Sequence, residues 1–573
     1  MNFKNIFYTT AALGILLSGA TSCSDSYLDE KMFSSYGADI KDVDAKVMGL
    51  HYMYGGLLGT SGRQGYAGVW QDGTDVGAPG DVEGVETPYY KYSQLDSEKG
   101  GASELWATMY DIIGAANLII ADERATEAQK AEALFFRAFC YEQLATGWGG
   151  VPLVVEPVSA PRTDFVRATL AECDAQIAED IEYAIAHLPK VDQLVKAARI
   201  CDDAARMVAA TAYLRMGLQE NNAEYYKKAE KHAGDVISGG RFKLVQERYG
   251  AFLADAGDYY SDMFRFGNQR RREGNTENIW VFEMENGSVV PNGTIGAPQQ
   301  RRNWVAAFHK LDGMQNADSI GGRGNGRLRL SNYVKYGVFK EEGDVRNSNH
   351  NIRRVLYYNR TGWKGATYYL DKDGFRVPND DPNSPEVVST VTVGVGDRAY
   401  WHKADTLNVM YPHTTKWGGY DPADDFGWSL IKDFPMFRLA EAYLLRAEAR
   451  VRQGNTAGAA EDINVLRDRA FKGYRETSGN ATAGKVEASQ MNIDFILDER
   501  IRELVGEENR RFTLMRTGEL TKRVQMMMTP QWAEKEEVKK IEGYDPKVHT
   551  LLPIPYNEIT LNKDAVIEQN PGY

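Results

Sequence analysis

Two segments far apart in the chain share one spacing of small and apolar residues, and this repeat constrains the fold most. In each segment a small residue is followed by another after twelve positions and by an aliphatic residue after a further seven. The two sets are Gly217, Ala229 and Val236, and Ala447, Ala459 and Leu466. Turn-forming runs, Gln219–Asn222 and Gly454–Thr456, separate the first two positions of each set. Small residues on facing sides let two helices approach closely, so both segments are predicted to be tetratricopeptide-like helical hairpins of divergent sequence.

Apolar residues at helical spacing extend this prediction over much of the chain. One helix face is formed by residues three or four positions apart, namely Trp106, Tyr110, Ile113 and Asn117. The next helix is predicted to end at the Gly147–Pro152 run, and further helices are predicted over about 168–187 and 203–219. We therefore predict a mainly α fold.

The composition changes between about 245 and 430. Gly, Asn, Asp, Pro and Tyr become frequent there, and the clearest strand, residues 279–283, is short. The runs Gly321–Arg327 and Asp380–Pro385 are rich in turn formers. A long irregular stretch inside a compact fold usually carries function, so ligand-facing loops are expected here and near residues 60–95.

The N-terminus is typical of a bacterial lipoprotein. Lys4 precedes an apolar stretch from Ile6 to Ala20, and small residues then lead to Cys23. Cys23 is the predicted lipidation site, and several acyl chains on one residue would anchor the protein to a membrane. Ordinary secretory cleavage, with Cys23 incidental, is the alternative. Elsewhere no run of about 18 apolar residues occurs, so no transmembrane helix is expected.

These signals divide the chain into five predicted parts. They are a signal peptide over 1–22, a lipidated tether over 23–35, an N-terminal helical part over 36–244, an irregular ligand-binding insertion over 245–430, and a C-terminal helical part over 431–573.

Charge, cysteine usage and motifs argue against several classes of protein. The net charge of −13 gives no sign of a nucleic-acid partner. Cys140, Cys173 and Cys201 have no C-x-x-C spacing and are interpreted as small buried residues on helices. The H-E-x-x-H, G-x-S-x-G and phosphate-loop motifs are absent. A glycoside hydrolase needs only two carboxylates, which no sequence can exclude or support.

A calcium site is a weaker hypothesis. Asp371, Asp373 and Gly374 resemble part of an EF-hand loop, but Tyr369 occupies the first ligand position. Asp380 stands where the longer bidentate Glu is required. Polar turn residues are the favoured interpretation, with no other cofactor expected.

Several ordered motifs resemble the SusD/RagB family. They are Arg137–Tyr141 with Leu144 and Gly147–Leu153, Phe434–Leu444 with Ala447–Ala449, Asn464, Arg467 and Arg469, Glu499, Arg500, Glu503 and Leu504, Glu508, Arg510 and Arg511, Pro553–Pro555 and Gln569–Tyr573. The lipoprotein start, Cys23 to Asp29, also agrees with this family. The resemblance follows the whole chain in order, although it is thin in the middle.

The resemblance implies a tetratricopeptide-like scaffold, an irregular binding region and no catalysis. It also implies a glycan-binding protein on the outer surface of a Gram-negative outer membrane, held there by its lipid. The partner would be a SusC-like TonB-dependent transporter, to which the captured oligosaccharide or polysaccharide is delivered. A peptide- or glycopeptide-binding protein, a glycoside hydrolase and a purely structural partner of the transporter are the alternatives.

A glycan site needs flat aromatic faces together with amide, carboxylate or guanidinium groups. Trp106, Trp148, Trp280, Trp417 and Trp428 are assigned to the core from their positions. The candidate ligand-binding residues lie on loops, in the two regions where the family binds sugar. They are Tyr66, Trp70, Asp72, Tyr89, Tyr90, Arg302, Asn303, Trp304, Trp363 and Tyr368.

The charged residues of the family signatures are interpreted as structural. Arg438 and Glu441, and then Glu499, Arg500 and Glu503, have the spacing of residues on one helix face. Such charges are usually solvated or form local ion pairs, so we expect them to support the scaffold rather than act as acids and bases.

Overall fold

The computed structural model describes residues 41–58, 65–80, 87–285, 298–318, 321–406, 409–419, 430–533 and 540–573, without the side chains of 65–67. The predicted signal peptide, Cys23 and the tether therefore lie outside the described residues, as does Trp428. The fold is mainly helical, as predicted. The division into five parts stays a prediction.

Fifteen α-helices and eight short strands are found in the described residues. The helices are α1 Val43–Leu57, α2 Gly65–Gln71, α3 Ala102–Ile120, α4 Glu127–Trp148, α5 Leu170–His187, α6 Asp202–Gln219, α7 Ala223–Ser238, α8 Tyr259–Asp262, α9 Gln300–Trp304, α10 Leu439–Arg452, α11 Thr456–Ser478, α12 Ile493–Leu504, α13 Arg510–Thr517, α14 Leu520–Met527 and α15 Tyr556–Leu561. The strands are β1 Gly77–Pro79, β2 Asn278–Phe282, β3 Leu328–Leu330, β4 Ile352–Arg353, β5 Ala366–Leu370, β6 Ser389–Val393, β7 His413–Thr414 and β8 Phe434–Arg438. Within the described part of the chain, no helix combines the length and apolar character needed to span a bilayer.

Both predicted helical hairpins are present, as α6–α7 and α10–α11. Their turns are closed by N-caps, since Asn222 accepts a hydrogen bond from the backbone of Glu224 and Asn455 accepts one from Gly458. Ala229, Ala447 and Ala459 are fully buried between helices. At Gly217 an added Cβ would come within 2.6 Å of the Tyr226 ring, so the close approach needs a residue without a side chain.

Replacing Gly217 with alanine is therefore expected to destabilise the α6–α7 hairpin. The new methyl group must displace the Tyr226 ring, which outweighs the usual gain in helix propensity and leaves a net loss of about 1 kcal/mol. Gly114 on α3 is the matched control, because it is exposed and its Cβ would meet no atom within 4 Å. Chemical denaturation should show Gly114→Ala stabilised by about 0.5 to 1 kcal/mol. Equal shifts in both variants would contradict close packing at Gly217.

The described residues form four two-stranded antiparallel sheets, and two of these attach the irregular stretch to the rest of the fold. Strand β2, close to the predicted 279–283, pairs with β8 directly before α10. Strand β1 pairs with β3, which brings the early segment against the middle of the chain. The other two sheets, β4–β7 and β5–β6, lie within the middle itself. The predicted irregular insertion is thus tied at several points to the helical scaffold.

Part of the middle has a hydrophobic cluster of its own, here called the second core. It contains Val305, Phe308, Leu311, Met314, Leu356, Tyr358, Tyr368, Leu370, Val393, Ala399, Val409 and Met410. Trp363 and Trp401 pack against it while partly buried. The second core supports the surface formed by residues 308–313 and 357–363.

The charged signature residues form a buried ion-pair network. Glu503 accepts hydrogen bonds from Arg438 and Arg346, each at 3.1 Å, and from Arg469. Glu277, immediately before β2, pairs with Arg438 and Arg469, and Arg346 also binds Glu499 at 2.8 Å. All of these side chains are almost fully buried. They support the scaffold as expected, but the expectation of solvated or local pairs is wrong, because the partners come from distant segments.

The remaining core assignments hold. Trp106, Trp148, Trp280 and Trp417 are buried. The three cysteines Cys140, Cys173 and Cys201 are free and buried. Burial raises the pKa of the Cys201 thiol to about 12, so this group is inert at neutral pH.

Candidate ligand-binding face

The early candidate residues belong to the core. Tyr89 and Tyr90 have no exposed surface, Asp72 has none either, and only 8% of Trp70 is exposed. The guanidinium of Arg511 organises this segment, since it donates to the carbonyl oxygens of Val69, Asp72 and Tyr89. Tyr89, Tyr90 and Asp72 are therefore closed to a surface ligand in this structure, and the loop interpretation is corrected for them. Trp70 is not on an exposed loop either, but it lines an internal cavity together with Tyr54 and Phe139. The side chain of Tyr66 lies outside the described residues.

Two of the three candidates on α9 are also buried. Asn303 and Trp304 are 3% and 2% exposed, and they face the interior of the fold. Arg302, which precedes them, is half-buried and donates a hydrogen bond of 2.9 Å to Oε1 of Gln299. Of the three candidates on α9, Arg302 alone therefore reaches the surface.

Trp363 is a partly exposed aromatic residue with polar groups beside it. Its ring lies 4.5 Å from that of Tyr358, centroid to centroid, with the planes inclined at 42°. Its Nε1 donates to Asp312 at 3.2 Å, and Arg360 donates to the other oxygen of the same carboxylate. The side chains of Asp312 and Arg360 are 57% and 47% exposed. We call Trp363, Asp312 and Arg360 the aromatic platform.

Two features hold the aromatic platform in place. Gly313 has a φ of +81°, and a Cβ there would stand 2.6 Å from Tyr358 and 3.0 Å from Trp363. Tyr368, a further candidate, is only 4% exposed and lies beneath, with its ring 6.4 Å from that of Tyr358. Tyr368 is thus corrected from a ligand contact to a supporting residue, covered by the guanidinium of Arg376 at 3.9 Å.

The glycine-rich run Gly321–Arg327 wraps around the end of α9. The backbone N–H of Asn325 donates to the carbonyl of Arg302 at 3.2 Å, and that of Gly326 donates to Val305 at 3.0 Å. A Cβ on Gly324 would lie 2.1 Å from the Val305 oxygen, so only glycine permits this approach. The wrap places Arg323 and Arg327 beside Arg302. We call these three residues the arginine cluster.

Neighbouring cations affect the titratable groups of the arginine cluster. Burial, followed by the charges of Arg327 and Arg323, lowers the pKa of Arg302. His309 is affected in the same way: burial and then Arg323 and Lys310 lower its pKa to about 4, so its ring is neutral at pH 7. The signal for this cluster was present in the sequence as the arginines of the glycine-rich run, but that run was interpreted only as a turn.

The residues of the calcium hypothesis have other roles in the structure. Oδ1 of Asp371 accepts backbone hydrogen bonds from Asp373 and Phe375, both at 2.9 Å, and closes a turn. The carboxylate of Asp380 pairs with Arg376, which lowers its pKa. Among the described residues no group of three or more His, Cys, Asp or Glu side chains is placed to hold a metal ion.

The candidate site is a surface carried by the second core, in the irregular part of a fold whose scaffold is helical. It combines an aromatic face, a carboxylate and guanidinium groups, and such groups are suited to binding a ligand. The profile of the SusD family matches residues 263–573, more than half of the chain. A second profile, described as starch-binding and associating with the outer membrane, matches residues 82–214. The chain belongs to the SusD family, and it is therefore a binding protein and not an enzyme.

Individual relatives cover nearly the whole chain. The starch-binding protein SusD of Bacteroides thetaiotaomicron is 24% identical over an alignment of 630 positions. The alignment covers 99% of this chain and 98% of that protein. A SusD-like protein of Formosa agariphila is 24% identical over 545 residues, spanning 91% and 90%. The solved structure of surface glycan-binding protein A from Bacteroides fluxus superposes with a TM-score of 0.64 at 19% identity, covering 93% of this chain and 99% of that one. At this level of identity the structural likeness shows the fold.

Proposed function

We propose that the protein captures oligosaccharide or polysaccharide at the cell surface and delivers it to a TonB-dependent transporter of the SusC type. The observation that carries this proposal is the aromatic platform. A sugar ring presents C–H groups that stack on an aromatic face, and its hydroxyl groups need donors and acceptors at the rim. Trp363 supplies the face, Asp312 the acceptor and Arg360 the donor. The names of the starch-binding and glycan-binding relatives support the same ligand class.

The proposal also includes a lipid anchor and a partner transporter. Cys23 is proposed to carry the acyl chains, and the following residues are proposed to tether the folded part to the outer membrane with its ligand face outward. Family membership and the profile described as associating with the outer membrane support this placement. Growth on the bound glycan should then require both this protein and its partner transporter.

A polysaccharide panel tests the proposal. A soluble form of the protein beginning at Ser24 should retain at least one polysaccharide and release no new reducing ends from it. Replacing Trp363 with alanine should weaken that binding about tenfold or more, because the stacking face is removed. Trp532→Ala is the matched control, since Trp532 is also partly buried but packs on Tyr333 in another part of the fold. Binding should be unchanged in that control.

Three other results would overturn parts of the proposal. New reducing ends would establish a glycosidase. Retention of protein digests with no polysaccharide bound would favour a peptide ligand. Unaltered polysaccharide binding by the Trp363 variant would place the site away from the aromatic platform.

A further inference from the structure

A cavity of about 150 Å³ lies between α1, α4, α6, β8 and α13. A cavity of this size can hold one six-membered ring. Its lining includes Gln143, Met436 and Phe437, which are partly exposed, so a small molecule can enter it from solvent. Of the described residues that line it, none belongs to the second core. The cavity is therefore separate from the aromatic platform.

Two hydrogen-bond donors that line the cavity have no partner. Nη1 of Arg500 and Nδ2 of Asn509 are buried atoms, and neither makes a hydrogen bond within the described part of the chain. Arg500 is only 2% exposed as a whole. A buried donor left unpaired is costly, because it has lost its hydrogen bonds to water. Two such donors on one cavity indicate that acceptor oxygens of a bound molecule complete them.

We propose that this cavity binds one neutral sugar residue, either a monosaccharide or the end unit of an oligosaccharide. It would be a second saccharide site, apart from the aromatic platform. The inference rests on the proposed function for its ligand class and adds a different place of binding. Hydroxyl oxygens of the sugar accept from Arg500 and Asn509, while its C–H groups pack on the walls of the cavity.

Aromatic side chains form much of these walls. The rings of Tyr54 and Phe139 stack with their centroids 5.3 Å apart and their planes inclined at 25°. The ring of Phe437 lies 5.9 Å from that of Phe139. The other aromatic residues of the lining are Trp70, Phe434 and Phe512. A purely apolar ring would also fit such walls, but it would leave both donors unpaired, whereas a sugar satisfies them.

The charged residues of the lining favour a neutral ligand, because each of them already has an ion-pair partner. Arg500 pairs with Glu441 at 2.8 Å and with Glu508 at 2.7 Å. The remaining pairs are Glu142–Arg215, Glu507–Arg438 and Arg516–Glu448. An anionic ligand would therefore bring a charge for which no counter-charge is left. The paired carboxylates still accept hydrogen bonds, since each has about four acceptor positions, and sugar hydroxyls can donate to them.

Binding of small sugars to the soluble protein beginning at Ser24 tests the inference. The probes are glucose, galactose, mannose and N-acetylglucosamine as neutral sugars, glucuronate as an anionic sugar, and benzamide as an aromatic ring. Titration followed by saturation-transfer NMR should show at least one neutral sugar bound more tightly than glucuronate or benzamide. Asn509→Asp should weaken that binding about tenfold, because it removes the amide donor. It keeps the oxygen that caps α13 by accepting from the backbone of Phe512 at 3.2 Å.

A matched control and a second variant locate the site. Asn222→Asp is the control, since Asn222 caps α7 in the same way and is not among the residues that line the cavity. Its sugar binding should be unchanged, and thermal unfolding should show that both variants fold. Thr211→Phe is the second variant. Thr211 is partly exposed and lines the cavity from α6, so a phenyl ring there should fill the space and abolish binding.

The outcomes separate this inference from the proposed function. If no neutral sugar binds, or if binding is equal in the wild type, Asn509→Asp and Thr211→Phe, the cavity holds water only and the inference is overturned. Tighter binding of benzamide, weakened in Asn509→Asp, would overturn the sugar class. Polysaccharide retention that depends on Trp363, with no sugar binding that depends on Asn509, would overturn the second site and leave the proposed function intact. Sugar binding that depends on Asn509, with no polysaccharide retained, would support the cavity and overturn capture at the aromatic platform.

Discussion

Replacing Glu503 with alanine is expected to lower the free energy of unfolding by about 3 to 5 kcal/mol, the cost of breaking a buried charge network by removing one partner. The carboxylate is fully buried and accepts hydrogen bonds from Arg346, Arg438 and Arg469. Without it, three guanidinium groups remain in an apolar interior with fewer counter-charges. Urea denaturation of the soluble protein, followed by circular dichroism, measures the loss.

The same network gives stability a defined dependence on pH. Burial alone would raise the pKa of Glu503, but the charges of Arg469, Arg438 and Arg346 outweigh burial and hold it far below the usual carboxyl range. Glu499 is lowered for the same reason by Arg467 and Arg346. A carboxyl whose folded pKa is depressed stabilises the fold above its unfolded pKa of about 4.3, and this contribution is lost progressively as the pH falls below that value.

An exposed ion pair provides the control. Glu224 and Lys227 lie 2.7 Å apart on α7, with 69% and 60% of their side chains exposed. Glu224→Ala should change stability by less than about 1 kcal/mol. The Glu503 variant should also lose the part of the acid sensitivity that Glu503 contributes. A Glu503 variant as stable as the Glu224 variant would show that neighbouring carboxylates fully replace the missing charge.

The helical scaffold could be predicted because its determinants are local. The spacing of Gly217, Ala229 and Val236 already encodes which faces of α6 and α7 meet, and the capping residue Asn222 lies between them. Likewise the turn after α4 and the C-terminal motif are recognisable separately. The contact between them cannot be recognised in the sequence, because no periodicity connects residues so far apart. In the structure Trp148 donates a hydrogen bond to the carbonyl of Pro553 at 2.8 Å.

The candidate site was predictable only in part, because exposure is decided by distant residues. Trp363 and Tyr368 look alike in the sequence as aromatic residues of one loop, yet β5 turns Tyr368 into the second core and leaves Trp363 at the surface. Arg302 likewise remains half-buried, while Trp304, two residues further along the same helix, is buried. Residue type identifies chemistry that suits a sugar, whereas the packing of several segments decides which side chain can reach one.

In the early segment, too, a distant residue decides which side chains are exposed. That residue is Arg511. Its guanidinium donates to Val69 O at 2.7 Å, to Tyr89 O at 3.1 Å and to the hydroxyl of Tyr92 at 2.7 Å, and also to Asp72 O. Only a planar fork with several donors can bind so many acceptors at once. The aromatic residues of this segment are therefore packed around a cation contributed by α13, rather than displayed on a loop.

Arg511→Met should consequently lower the free energy of unfolding by about 4 kcal/mol or more. Methionine fills similar space but leaves several buried oxygen atoms without a donor, at about 1 to 3 kcal/mol each. Arg511→Lys should rescue little of this loss, because an ammonium group cannot reproduce the fork. Arg124→Met, at a half-exposed position, should stay within about 0.5 kcal/mol of the wild type. Limited proteolysis should cut residues 65–95 first in the Arg511 variants, since that segment loses its common anchor. Wild-type stability and protease resistance in Arg511→Met would instead mean that apolar packing alone holds the segment in the core.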